Sequence, residues 1–212
     1  MTGKDHWDTV YSTKRTNSVS WFAEHAELSR RLIHATGVPA GASIIDVGGG
    51  ASTLVDDLLA DGFTKVTVLD LSGAALAEAQ RRLGSLASAV CWLEADITAT
   101  VLPTHAYDVW HDRAVFHFLT TPGARAAYVE NMRRSLKPGG HVVIATFGPQ
   151  GPRRCSGLPV CRYDAGMLSK ELGDDFTLVE SLLDVHHTPS GASQQFLYCR
   201  FRRQLPGPEV SS

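Results

Sequence analysis

An open α/β sheet, mostly parallel and covered by helices on both faces, is the fold this 212-residue sequence predicts. Three observations carry that expectation. From about residue 43 onward, strand-length apolar runs alternate with segments of helical period, a pattern that needs parallel crossovers. The first run passes directly into Gly48-Gly49-Gly50. The last third changes to two strand-like runs joined by Pro189-Ser190-Gly191, a hairpin signal that adds an antiparallel end to the sheet.

Each element has its own local reason. Residues 1–40 hold an amphipathic helix with Leu28, Leu32 and Ile33 on one face and Gly37 closing it. Ser43–Val47, Val66–Asp70, Val90–Glu94, Tyr107–His111 and His141–Phe147 read as strands. Between them, Ser52–Ala60 carries an apolar stripe of Leu54, Val55, Leu58 and Leu59. Ser72–Gly84 opens on Ser72 as N-cap. Pro122–Lys137 buries Tyr128, Val129, Met132 and Leu136 and stops at Pro138-Gly139-Gly140. Asp164–Leu172 is a short helix with Gly173 past its end. Phe176–His187 and Gln194–Arg203 form the hairpin strands. With no internal repeat and no linker, residues 1–203 read as one domain, 1–40 being an N-terminal helical segment and 204–212 a flexible tail.

Composition narrows the function. A chain that is 43% hydrophobic and 20% charged is globular, not fibrous or disordered. A formal net charge of −2 provides no field to draw it onto nucleic acid or an anionic membrane. The first residues contain no apolar segment, and the longest apolar stretches, such as Val142–Ala145, are far below a bilayer span. Cys91, Cys155, Cys161 and Cys199 have no metal-ligand spacing. The expectation is a cytoplasmic protein with reduced thiols and no metal site.

The chemistry concentrates at Ile44-Ile45-Asp46-Val47-Gly48-Gly49-Gly50-Ala51-Ser52-Thr53, a strand running into a glycine turn that opens a helix. Ligands of open α/β sheets sit at the carboxyl ends of strands, where glycines admit close backbone approach. Asp70 ends the second strand, where a carboxylate accepts the hydroxyls of an adenosine ribose. A pyrophosphate cofactor wants G-x-G-x-x-G, and here Thr53 breaks that pattern. A cofactor with a ribose and no phosphate, such as S-adenosylmethionine, has less need of it. Asp96, after the third strand, can accept a hydrogen bond from an adenine amine. A nicotinamide short-chain dehydrogenase would need Tyr-x-x-x-Lys. The residues four after the five tyrosines are Arg15, His111, Met132, Met167 and Arg202.

Over roughly residues 40–203 the chain resembles the class I S-adenosylmethionine-dependent methyltransferases. The resemblance rests on Ile44–Ser52, Val68-Leu69-Asp70, Glu94-Ala95-Asp96, Tyr107–Arg113 and Ser135-Leu136-Lys137-Pro138-Gly139-Gly140, in that order. It implies a Rossmann-like seven-stranded sheet ordered 3-2-1-4-5-7-6 with strand 7 antiparallel. It also implies methyl transfer from S-adenosyl-L-methionine, leaving S-adenosyl-L-homocysteine. Asp46, Gly48, Gly49 and Gly50 would meet the methionine part, Asp70 the ribose and Leu71 the adenine face. Ala95, Asp96 and the Ile97 N–H would hold the adenine edge. Ser52 replaces the third glycine of the family pattern. Trp7-Asp8, Tyr11 and Ser20-Trp21-Phe22 are similar to a stretch that closes over the cofactor in a subgroup of the family, which would place Tyr11 and Trp21 at the cofactor.

Methyl transfer is an in-line displacement that disperses charge, so alignment and water exclusion do most of the work. A base is required only for a protonated acceptor. The catalytic candidates are Asp112, which would touch the methionine ammonium or the acceptor, and His117, one turn beyond it. The plain alternatives are an ion pair of Asp112 with Arg113 or a helix cap, and core packing of His117. His111 is a lesser candidate, and His186-His187 reads as a solvated turn. The loop Gly148–Tyr163 is a candidate lid, with Arg153, Arg154 and Arg162 either clamping an anion or solvated. A small-molecule acceptor is preferred. A protein lysine acceptor and a non-catalytic cofactor-binding domain are the alternatives.

Overall fold

The structure, a computed structural model, describes residues 3–13, 19, 23–189 and 191–205. Trp21 and the tail from residue 206 lie outside the described residues. The main sheet has seven strands: β1 (Ser43–Val47), β2 (Lys65–Asp70), β3 (Val90–Glu94), β4 (Tyr107–Arg113), β5 (Leu136–Phe147), β8 (Phe176–His187) and β9 (Ser193–Arg203). Their order is β3-β2-β1-β4-β5-β9-β8. The strands from β3 to β5 are parallel; β9 runs antiparallel between β5 and β8. This is the expected order with two more numbers, because β6 (Arg154–Cys155) and β7 (Leu158–Pro159) form a small ribbon inside the loop after β5.

Strand alternation builds two apolar layers. Ile44, Val66, Val68, Val109 and Val143 face α2 (Glu27–His34), α3 (Leu54–Ala60) and α4 (Gly73–Leu83). Ile45, Leu69, Trp110, Val142 and Ile144 face α5 (Pro122–Ser135) and α6 (Ala165–Leu172). Ser72 caps α4 as expected, its hydroxyl accepting the Ala75 N–H at 3.2 Å. The expected helix over Pro122–Lys137 ends earlier, at Ser135. Leu136 has left helical backbone and pairs with Tyr107, so β5 begins before the Pro-Gly-Gly signal rather than after it. Helix α1 (Gly3–Thr13) packs on α4. No helix among the described residues is long and apolar enough to cross a membrane.

Candidate functional site

The carboxyl ends of the parallel strands meet two neighbouring cavities, of about 370 and 240 Å³. Gly48, at the tip of β1, lines both, as do Tyr11 and Arg113. The turn there is tight. Gly48 has φ +71°, and a Cβ on it would lie 2.0 Å from Val115 Cγ2. A Cβ on Gly50 (φ +35°) would fall 2.5 Å from Asp70 Oδ2, so bare backbone is what lets the loop run against the second strand's carboxylate.

The larger cavity takes Asp70, Leu71, Ala95, Asp96 and Ile97 from the tips of β2 and β3. Asp70 is 8% exposed, and its Oδ1 accepts the Ser72 N–H at 2.8 Å. Burial pushes its carboxyl up to about 7, against that hydrogen bond. Asp96 is exposed and accepts both the N–H and the hydroxyl of Thr98 on Oδ1, at 2.8 and 2.7 Å. Helix α1 supplies Trp7 and Tyr11 to the same cavity, and Lys4 ties it down by reaching Glu94 Oε1 at 2.6 Å.

Asp46 faces the smaller cavity together with Gly49. Its Oδ1 accepts from His111 Nδ1 at 2.6 Å, and His111 Nε2 lies 2.8 Å from the Ser29 hydroxyl. A neutral ring that donates from Nδ1 accepts the serine proton at Nε2. Asp46 Oδ2 is buried with no protein partner. An orphaned carboxylate oxygen beside a glycine turn fits the ammonium of an amino-acid moiety, and the Asp70–Leu71–Asp96 wall fits a nucleoside.

Neither expected catalytic side chain reaches a cavity. Asp112 is 0% exposed and accepts the Val115 and Phe116 N–H groups at 2.8 and 3.0 Å and the Tyr128 hydroxyl at 2.6 Å. It caps the turn after β4 and makes no ion pair with Arg113, because successive strand residues point to opposite faces. His117 is also 0% exposed. Its Nδ1 accepts the Phe147 N–H at 3.2 Å, and burial pushes the imidazole down to about 3, so it stays neutral within the packing. Of the two histidines near β4, His111 lines a cavity and His117 does not. His186, expected in a solvated turn, lines the smaller cavity and packs edge-on against Phe196.

Several lining residues went unread in the sequence. Arg113 donates from Nε to the Tyr198 hydroxyl at 2.9 Å and sits 4.7 Å over the Phe196 ring. Gln194 and Phe196 come from β9, whose position beside β5 is a long-range pairing with no local signal. Period-2 alternation along β4 was the one available clue to Arg113. From the candidate lid, Cys155, Leu158 and Pro159 line the larger cavity, while Arg153, Arg154 and Arg162 line neither. Burial pushes the Cys155 thiol up to about 11, which keeps it unreactive.

A seven-stranded sheet with this order and an acid-and-glycine site at the tips of β1 to β3 defines the Rossmann-like methyltransferase fold. Residues 44–140 match the family model described as a methyltransferase domain. A malonyl-[acyl-carrier protein] O-methyltransferase from Paenibacillus sp. (strain JDR-2) is 30% identical over 130 residues, 58% of this chain and 46% of that protein. An eEF1A lysine and N-terminal methyltransferase homolog from Drosophila melanogaster is 26% identical over 145 residues, 66% of this chain and 21% of that protein. The chain thus spans less than half the length of either curated relative. The solved 1,6-didemethyltoxoflavin-N1-methyltransferase of Burkholderia thailandensis, with 1,6-didemethyltoxoflavin and S-adenosylhomocysteine bound, superposes with a TM-score of 0.72. It is 21% identical, over 95% of this chain and 87% of that one. Over residues 44–140 the chain is thus similar to a methyltransferase domain, on a fold shared with solved S-adenosylmethionine-dependent methyltransferases.

Proposed function

We propose that this chain transfers a methyl group from S-adenosylmethionine to a small-molecule acceptor by in-line displacement. The observation that carries the reading is that Gly48, Asp70 and Asp96, from three adjacent strand tips, line one cavity. When bound, the cofactor supplies an electrophilic methyl group on a sulfonium. In this reading Asp70 accepts the ribose hydroxyls. Asp96 and the Ile97 N–H meet the adenine edge, Leu71 flanks the ring, and Asp46 with the Gly48 backbone holds the methionine end. The apolar remainder of the larger cavity excludes water and aligns the acceptor. Asp112 and His117 take no part beyond supporting the turn and packing around it. A cytoplasmic, reducing location belongs to the same reading.

The 1,6-didemethyltoxoflavin-N1-methyltransferase is named for a small-molecule acceptor, which supports this choice, whereas the Drosophila relative's name favours a protein acceptor as the second reading. Calorimetry with S-adenosylhomocysteine tests the cofactor site. Wild type is expected to bind, and Asp70→Ala to lose about tenfold to a hundredfold in affinity, the worth of hydrogen bonds to a charged acceptor. Equal binding by the variant ends the assignment. Methyl-labelled cofactor incubated with extract then separates the acceptors. Label in the small-molecule fraction is expected. Label confined to protein favours the second reading, and binding without label in either fraction indicates a non-catalytic domain.

A further inference from the structure

The strand order divides the larger cavity. Its nucleoside half, in this reading, lies at the tips of β2 and β3, and its other half beyond the tip of β4 and at the start of β9, with Gly48 after β1 between them. That second half is walled by Trp7, Val115, Phe118, Leu158 and Phe196, all apolar or aromatic, and Trp7 meets Phe118 edge-on at 5.2 Å. Gln194 and Arg113 are two of the polar side chains that line the cavity at this end. Gln194 is 8% exposed, and its Oε1 is buried with no hydrogen-bond partner. A buried amide oxygen left unpaired costs free energy that a ligand donor would recover. The Arg113 fork is oriented by the Tyr198 hydroxyl and the Phe196 face. Gln194, Phe196 and Tyr198 alternate along one face of β9, and both Gln194 and Arg113 line the same cavity as Phe196.

We propose that this end is the acceptor subsite, and that it takes a small, flat, apolar molecule bearing both an N–H or O–H donor and a carbonyl or oxyanion. Gln194 Oε1 receives the donor, Arg113 gives hydrogen bonds to the oxygen, and the aromatic walls cover the faces of the molecule. This rests on the methyl-transfer reading and adds the acceptor class to it. The probes are three ring-matched compounds: benzamide, benzoate and benzylammonium. Ligand-observed NMR is run on the protein saturated with S-adenosylhomocysteine. Benzamide and benzoate are expected to bind and benzylammonium to bind at least tenfold more weakly. Gln194→Leu is expected to weaken benzamide about tenfold, the worth of one buried hydrogen bond, and to leave benzoate within threefold. Arg113→Met should weaken both, while Arg113→Lys keeps the preference for benzoate over benzylammonium. Equal binding of benzylammonium, or benzamide affinity unmoved by Gln194→Leu, overturns the proposal. S-adenosylhomocysteine affinity of Gln194→Leu, measured by calorimetry, should match wild type. Failure of wild type to bind that compound would sink the methyl-transfer reading, whereas its binding with all three probes rejected sinks the acceptor class alone. If Arg113→Met does not fold, the Gln194 variant decides the matter.

Discussion

Asp70 combines a structural cost with the proposed use at the ribose. Burial raises its carboxyl to about 7, so in the folded protein it holds a proton over a range where the unfolded chain has lost it. Its contribution to stability is therefore full below the unfolded value near 4 and is lost as pH rises through about 7. Asp70→Asn removes the charge and keeps the shape, and is expected to raise the melting temperature at pH 8 while weakening S-adenosylhomocysteine. In wild type the cofactor favours the ionised acceptor, so affinity should fall as pH drops from 8 to 6 and stay flat in the variant. Calorimetry across that range checks the sign. Asp112 shows the opposite economy: its oxygens satisfy two backbone N–H groups and the Tyr128 hydroxyl. Asp112→Ala leaves those buried donors unpaired and should cost about 3 kcal/mol or more in denaturant unfolding. The same residue illustrates the limit of reading a motif. Its position after β4 pointed to the cleft, and its side chain, on the α5 face of the strand, points away from it.

Helix α1 shows how an element acquires a role from what it lands on. Trp7 and Tyr11, four residues apart, share one helical face, and that face lines the larger cavity. Asp8 accepts the Ser72 hydroxyl at 2.7 Å, while the same Ser72 oxygen caps α4. Ser72→Ala removes the cap and the α1 contact together and should destabilise the fold by about 1 kcal/mol, read from the unfolding midpoint. It should also raise the S-adenosylhomocysteine dissociation rate, because α1 loses one of its ties. Element ends were less legible than element identities. The α5 stop moved from Lys137 to Ser135 because pairing of Leu136 with Tyr107 outweighs two further helical residues. The β6–β7 ribbon was hidden because two-residue strands carry no period.

At the scale of the whole molecule, seven strands converge so that groups far apart in the chain share one ligand space, and occupation of that space should stabilise everything around it. S-adenosylhomocysteine at about a hundredfold excess over its dissociation constant adds roughly 2.7 kcal/mol, which for a chain of this size raises the melting temperature by on the order of 5–10 °C. No shift in a thermal melt would contradict a preformed site. Alternation of apolar runs with helical stripes was enough for the architecture, and the glycine turn with Asp70 and Asp96 was enough to locate one wall of the larger cavity, because both depend on residues close in sequence and on strand tips whose direction the local pattern sets. Which face Asp112 and Arg113 present, and that Gln194 and Phe196 close the far wall, were decided only by tertiary structure. Those outcomes depend on long-range strand pairing and on burial, and neither leaves a local period for the chain to display.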